Sequence, residues 1–213
     1  MTVDLIRYTA LPEQLCGHAA AMCTNAQDEL RALRVARRSG HESILEHVSF
    51  TFEMSGVSRA LLAQITRHRI ASFSVQSQRY VDMGEMPVVK PQTIQEDEEL
   101  SEDYDLLMQA IRDFYNRAVE RGIPKEDARY ITPQAACTSF IVTMNARELR
   151  HFFALRCCNR AQWEIRELAD QMLALCKKAA PKLFDDAGPG CVRGTCPEGK
   201  MTCGHPKQGV QNG

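Results

Sequence analysis

Residues 67–80 gather three arginines, one histidine, three serines and two glutamines into one short segment. Guanidinium groups stay charged at any working pH and present a rigid fork of donors that fits phosphate or carboxylate. Ser72, Ser74 and Ser77, with Gln76 and Gln78, add donors and acceptors that can read a sugar or a base edge. The chemistry these types suit is the binding of an anionic, nucleotide-like ligand. A helix C-terminus favours cations, which accounts for Arg67 and Arg69 as a solvated basic face. It leaves Ser72, Ser74, Ser77 and Arg79 unexplained. The segment follows an apolar run and leads into Tyr80 and Val81, so its polar groups lie between structural elements.

Other clusters carry similar side chains. Gln64 precedes Arg67 by three positions and shares its helix face. Asn145, Arg147 and Arg156 form a second polar constellation opening off a strand, on a helix that also carries Arg150 and His151. His41 and His47 flank Glu42, Ser43 and Glu46, but a spacing of six matches no zinc-ligand pattern. Polar ligand contacts or a capped helix start suit that turn better. Cys191, Cys196, Cys203 and His205 are of types that suit zinc, yet spacings of five and seven fit neither a finger nor a ribbon. No metal site is assigned, and a reduced, mobile tail is expected. Cys157 and Cys158 lie beside Arg156 and Asn159, but no neighbour identifies a base for a thiol nucleophile. Glycine-rich phosphate loops are missing, so phosphates must be held by arginines and helix ends.

These groups need elements to position them. Residues 3–9 read as a strand, and residues 12–38 as helix broken near Thr24 and Asn25, with Leu15, Ala19, Met22, Leu30 and Leu33 inward. Gly40 fits a C-cap. Val48, Phe50, Phe52 and Met54 alternate with polar residues in a half-buried strand. Ser55 or Ser58 caps a helix reaching Thr66, with Leu61, Leu62 and Ile65 inward. Residues 83–93 read as loop. Residues 96–121 read as helix, with Tyr104, Leu107, Met108, Ile111, Tyr115, Ala118 and Val119 on its apolar face. Residues 124–129 suggest a short helix opened by Pro124. Phe140, Val142 and Met144 mark another strand, Asn145 caps the next helix, and residues 161–180 form the last, with Trp163, Leu168, Met172 and Leu175 inward. The fold class expected is α+β.

The chain has 213 residues, a formal net charge of -1 and nine cysteines. That length suits one domain, and a near-neutral charge provides no global field to gather nucleic acid. No segment approaches the roughly 20 apolar residues that span a bilayer. The N-terminus lacks the order of a signal peptide, and scattered cysteines in odd number argue for reduced thiols. A cytoplasmic location is expected.

The spacing Arg67-His68-Arg69, seven residues, then Ser77-Gln78-Arg79-Tyr80 resembles the signature of the flavin-dependent thymidylate synthases. Further agreement comes from His41-Glu42-Ser43, Glu46-His47, Gln64, Arg129, Asn145-Ala146-Arg147, Leu155-Arg156 and Ala161-Gln162-Trp163-Glu164, all in the family's order. The resemblance covers residues 1–185, taken as one catalytic domain, and leaves 186–213 as an extension. It implies helices around a central, mainly antiparallel sheet, and a homotetramer with active sites shared between subunits. It implies methylation of dUMP to dTMP, with 5,10-methylenetetrahydrofolate as carbon donor and NADPH reducing a tightly bound FAD. Tetrahydrofolate is then the product, and no enzyme nucleophile attacks the uracil.

By residue, the resemblance places Gln64, Arg67, Ser77, Gln78, Arg79, Arg129 and Arg156 around dUMP. Arg79 and Arg129 suit the phosphate, and Arg156 is the catalytic cation at a uracil carbonyl. It places His41, Ser43, Glu46, Arg67, His68, Arg69, Ile70, Asn145, Arg147 and His151 around FAD and folate. Many members carry Asn-Glu where this chain has Ser74-Val75, so a carboxylate often credited with a nucleotide contact is missing. Two other classes compete. A non-enzymatic nucleotide- or RNA-binding module calls for aromatics along a basic stripe, and only Phe73 and Tyr80 lie near the cluster. A metal-dependent hydrolase would use His41, His47 and the tail.

Overall fold

The computed structural model describes residues 1–207; the rest of the expected extension, residues 208–213, lies outside the described residues. Strand β1 (Thr2–Tyr8) leads to helices α1 (Pro12–Thr24) and α2 (Glu29–Arg38) and a 3-10 turn over Glu42–His47. Strand β2 (Ser49–Ser58), helix α3 (Arg59–Ile65) and strand β3 (Ala71–Val75) follow. Helices α4 (Gln92–Gln95), α5 (Glu98–Glu120) and α6 (Lys125–Ala128) precede strand β4 (Cys137–Asn145). Helices α7 (Ala146–Arg156), α8 (Trp163–Ala179) and α9 (Pro181–Phe184) close the order. The strands make one antiparallel sheet in the order β1-β2-β4-β3, giving the expected α+β class.

Alternation builds the two inner strands. Phe50, Phe52 and Met54 of β2 and Phe140, Val142 and Met144 of β4 are buried, while their neighbours stay partly accessible. Ser58 resolves the capping alternative: its hydroxyl accepts from Leu61 N at 3.0 Å. Asn145 likewise caps α7, its Oδ1 accepting from Glu148 N at 2.8 Å.

Four expectations need correction. Residues 71–75, expected to lie between structural elements, are themselves strand β3 at the sheet edge. Helix α1 buries Cys16, Gly17, Ala20 and Ala21, leaving Leu15 and Met22 exposed. The cause is close packing on α2: a Cβ on Gly17 would stand 3.0 Å from Glu29 O, so small residues must face the contact. Leu30 of α2 and Leu107 of α5 are exposed, while Leu33, Met108 and Tyr115 turn inward. Trp163 is exposed at the start of α8, whose buried face is Glu164, Ile165, Leu168, Ala169, Met172 and Cys176.

By contact the chain groups into two compact units. One comprises Met1–Thr2, Met54–Thr66 and Ser74–Phe140, and Met83, Met86, Tyr115, Ala128 and Ala136 form a core cluster there. The other comprises Val3–Glu53, Arg67–Phe73 and the described residues from Ile141 onward. Its core is knit by edge-to-face aromatics, Phe50 on Phe184 at 5.3 Å and Phe152 on Phe153 at 5.7 Å.

Candidate functional site

In the second unit, α7 and the 3-10 turn over Glu42–His47 line a cavity of about 570 Å3. That volume lies in the roughly 300–1,000 Å3 range of small-molecule sites. Five expected flavin-side residues line it: Glu46, Ile70, Asn145, Arg147 and His151. His41 and Ser43 instead line a more apolar cavity of about 680 Å3 beside α1 and α2. Arg67 and Arg69 are exposed, and His68 is buried.

Charge in the first cavity is almost balanced internally. Arg147 hydrogen-bonds the Glu46 carboxylate, which raises the guanidinium's pKa. Arg150, buried, donates to Asp186 Oδ1 at 2.7 Å and to Leu183 O at 2.7 Å. Burial raises the Asp186 pKa, but the hydrogen bond and charge of Arg150, followed by Arg37 and Arg193, win and hold it at about 2. Two donors remain short of acceptors. Arg150 Nε has no hydrogen-bond acceptor among the described residues, the Glu42 carboxylate standing 3.6 Å off. Arg193, from the extension, lines the same cavity and donates only to Asp186 O at 3.3 Å, with no ion pair among the described residues. Surplus guanidinium capacity fits an anionic group, such as the phosphates of a dinucleotide.

Beside this cavity, His68 is held between two charged groups. Its Nδ1 lies 2.9 Å from Glu148 Oε1, and Arg156 Nε donates to its Nε2 at 3.2 Å. Burial lowers the His68 pKa, as do the charges of Arg156 and His151, while Glu148 opposes them. Burial and then Arg67 lower the Arg156 pKa.

In the first unit, two of the nucleotide-side residues, Arg79 and Arg129, meet at Glu126. Arg79 Nε donates to its carboxylate at 2.8 Å, and Arg129 Nε to its backbone carbonyl at 3.0 Å. Gln78, buried, donates to Thr132 Oγ1 at 3.4 Å, and Ser77 Oγ accepts from Arg79 N at 3.2 Å. Gln64 Nε2 donates to Ala60 O at 3.4 Å, within α3. One residue the sequence reading passed over stands out. Arg59, at the start of α3, has a buried Nη1 with no hydrogen-bond partner among the described residues. Burial and then the charge of Arg129 lower its pKa. A partly buried guanidinium beside another cation is suited to an incoming anion.

The tail is tied down as far as Lys207. Asn159 Nδ2 donates to His205 O at 2.8 Å, Arg160 reaches Met201 O, and Lys207 Nζ bonds Asp170 at 2.8 Å. Among the described residues no disulfide joins any of the nine cysteines. No group of three His, Cys, Asp or Glu side chains among the described residues is arranged to hold a metal ion.

The sequence model described as "Thymidylate synthase complementing protein" matches residues 4–182. The flavin-dependent thymidylate synthase of Geobacter sulfurreducens is 49% identical over 218 residues, covering 96% of this chain and 94% of that protein. This chain belongs to the flavin-dependent thymidylate synthase family. The family's Clostridium tetani member is 42% identical, covering 95% of this chain and 92% of its own. A solved flavin-dependent thymidylate synthase from Helicobacter pylori, complexed with FAD and dUMP, is 28% identical with a TM-score of 0.71. That alignment covers 88% of this chain and 100% of the Helicobacter chain. The family is one of enzymes, so the reading as a non-enzymatic binding module is set aside.

Arg59, Glu148 and Arg193 are the site residues that sequence reasoning missed. Arg59 could have been found as a cation opening a helix, where the dipole disfavours it. Glu148 reads locally as the glutamate of a capping box begun by Asn145. Arg193 lies beyond the 4–182 match and carries no local signal.

Proposed function

We propose that this chain methylates dUMP to dTMP, taking the carbon from 5,10-methylenetetrahydrofolate and using NADPH as reductant. Bound FAD would supply the hydride, so tetrahydrofolate is released. The observation that carries this reading is the guanidinium capacity not fully met by acceptors among the described residues, within a family whose Helicobacter member was solved with FAD and dUMP.

Arg79 and Arg129, joined by Arg59, take the nucleotide phosphate. Gln64, Arg67, Ser77 and Gln78 complete that ligand's surroundings. Arg156 is the catalytic cation: a fixed guanidinium at a uracil carbonyl stabilises negative charge as it develops. His41, Ser43, Glu46, Arg67, His68, Arg69, Ile70, Asn145, Arg147 and His151 serve the flavin and folate side. No thiol attacks the uracil in this reading. Burial pushes the Cys157 thiol far up, with Asp170 adding to it, and burial does the same to Cys176.

We take residues 1–185 as one catalytic domain carrying the extension 186–213. We further read a cytoplasmic homotetramer with active sites shared between subunits. No helix among the described residues is long and apolar enough to cross a membrane.

The deciding assay is tritium release from [5-3H]dUMP in the presence of methylenetetrahydrofolate, NADPH and FAD. A yellow protein that frees its flavin on heating and releases tritium is expected. A colourless protein without tritium release overturns the proposal. Arg156→Ala is expected to abolish tritium release while retaining flavin, and turnover kept in that variant removes Arg156 from its role.

A further inference from the structure

Helix α7 grips one histidine at three positions spaced by four residues. Glu148, Phe152 and Arg156 fall on one helical face, one turn apart. Glu148 Oε1 stands 2.9 Å from His68 Nδ1. The Phe152 ring meets the imidazole edge-on, with centroids 5.0 Å apart. Arg156 Nε donates to Nε2 at 3.2 Å. His68 is 5% exposed and Glu148 7%, so water does not substitute freely for either contact.

This geometry fixes the proton. A guanidinium only donates, so Nε2 must carry a lone pair. The ring hydrogen is then on Nδ1 and is donated to Glu148. A protonated His68 has no lone pair for Arg156, and the surroundings disfavour that state. Burial, Arg156 and His151 press the imidazole towards neutrality, against Glu148. In the first turn of α7 the carboxylate is itself stabilised by the helix N-terminus.

We propose that Glu148 is a positioning residue for the methylation: it locks His68 as the Nδ1–H tautomer and thereby aims the Arg156 guanidinium. The proposal rests on the role given to Arg156 above. It assigns to a buried carboxylate a task that a capping-box reading of Asn145 and Glu148 does not contain. Outer-shell partners of this kind typically cost about 10- to 100-fold when removed.

The test is Glu148→Gln in the flavin-loaded protein, with Glu148→Asp as the charge-preserving partner. Gln can turn either its carbonyl or its amide towards Nδ1, so the tautomer is no longer imposed. Glu148→Gln is expected to lower kcat about 10- to 100-fold, with flavin content and thermal midpoint close to wild type and Glu148→Asp recovering part of the loss. The acid limb of the kcat profile reads the same contact. Protonation of His68 releases Arg156, so the rate falls as pH drops through the His68 pKa. Losing the carboxylate removes the interaction that raises that pKa, so the limb moves to lower pH in Glu148→Gln. Imidazole 15N shifts are expected to show Nδ1–H in the wild type and a mixed tautomer in Glu148→Gln. Unchanged kcat with an unmoved acid limb overturns the proposal. So does a loss of rate that simply follows lost flavin or lost stability. If the wild type fails to turn over dUMP, the functional reading falls, and the 15N shifts alone decide whether Glu148 sets the tautomer.

Discussion

Arg59 shows how a ligand site differs from a structural one at the scale of a single side chain. A guanidinium whose buried Nη1 finds no acceptor among the described residues, with Arg129 nearby, is a net cost to the folded chain. Arg79 is in a different position, because its exposed pair with Glu126 is worth about 0–1 kcal/mol and yields easily to a better anion. The two arginines should therefore respond oppositely to removal of charge. Arg59→Met should leave the thermal midpoint unchanged or raised, since an unpaired cation is lost. The same variant should weaken nucleotide binding about 10- to 100-fold, the worth of one charge-assisted hydrogen bond of about 1.5–3 kcal/mol. Calorimetric titration with dUMP beside a melting curve checks both signs. A drop in stability with unaltered dUMP affinity would show Arg59 to be a structural cation.

Elements decide which of these side chains meet, and the sequence showed that level unevenly. Strands β2 and β4 were legible because strict alternation leaves one register that buries Phe50, Phe52, Phe140 and Val142. The cap on α7 was legible because Asn145 stands where the strand ends. Strand β3 was hidden: Ala71, Phe73 and Val75 do alternate with Ser72 and Ser74, but the serines read as ligand contacts. The register of α1 was hidden too, because a close approach to α2 and not hydropathy selects its buried face. Among site residues, the arginines around the signature were legible by type, while Arg193 depended on where the extension folds. Asp186 holds that segment, accepting from Arg150 while Arg193 donates to its backbone carbonyl. If the cavity accepts dinucleotide phosphate, Arg193→Ala should weaken FAD about tenfold through a lost charge-assisted contact and leave riboflavin, which lacks phosphate, unaffected. Fluorescence titration of flavin-stripped protein with each ligand measures the difference. Equal loss for both ligands would assign Arg193 to shaping the cavity.

At the scale of the whole molecule, the apolar residues that failed to turn inward become informative. Leu100, Leu107 and Phe114 of α5 are 54%, 58% and 50% exposed and repeat every seven residues, so they form one stripe along a long helix. Met108 and Tyr115, buried, already anchor α5 by its other face. A stripe of this size left in water marks a contact surface, which agrees with the proposed tetramer. A second copy of the chain is the simplest cover. Replacing Leu107 and Phe114 together by glutamate touches no core contact of Met108 or Tyr115, so each subunit should keep its fold. Sedimentation should show the wild type as four chains and the double variant as a smaller species. If active sites are shared between subunits, tritium release should fall with the loss of assembly and recover at high protein concentration. A double variant that sediments as a tetramer would place the interface elsewhere, and a wild type that sediments as one chain would remove the shared site altogether.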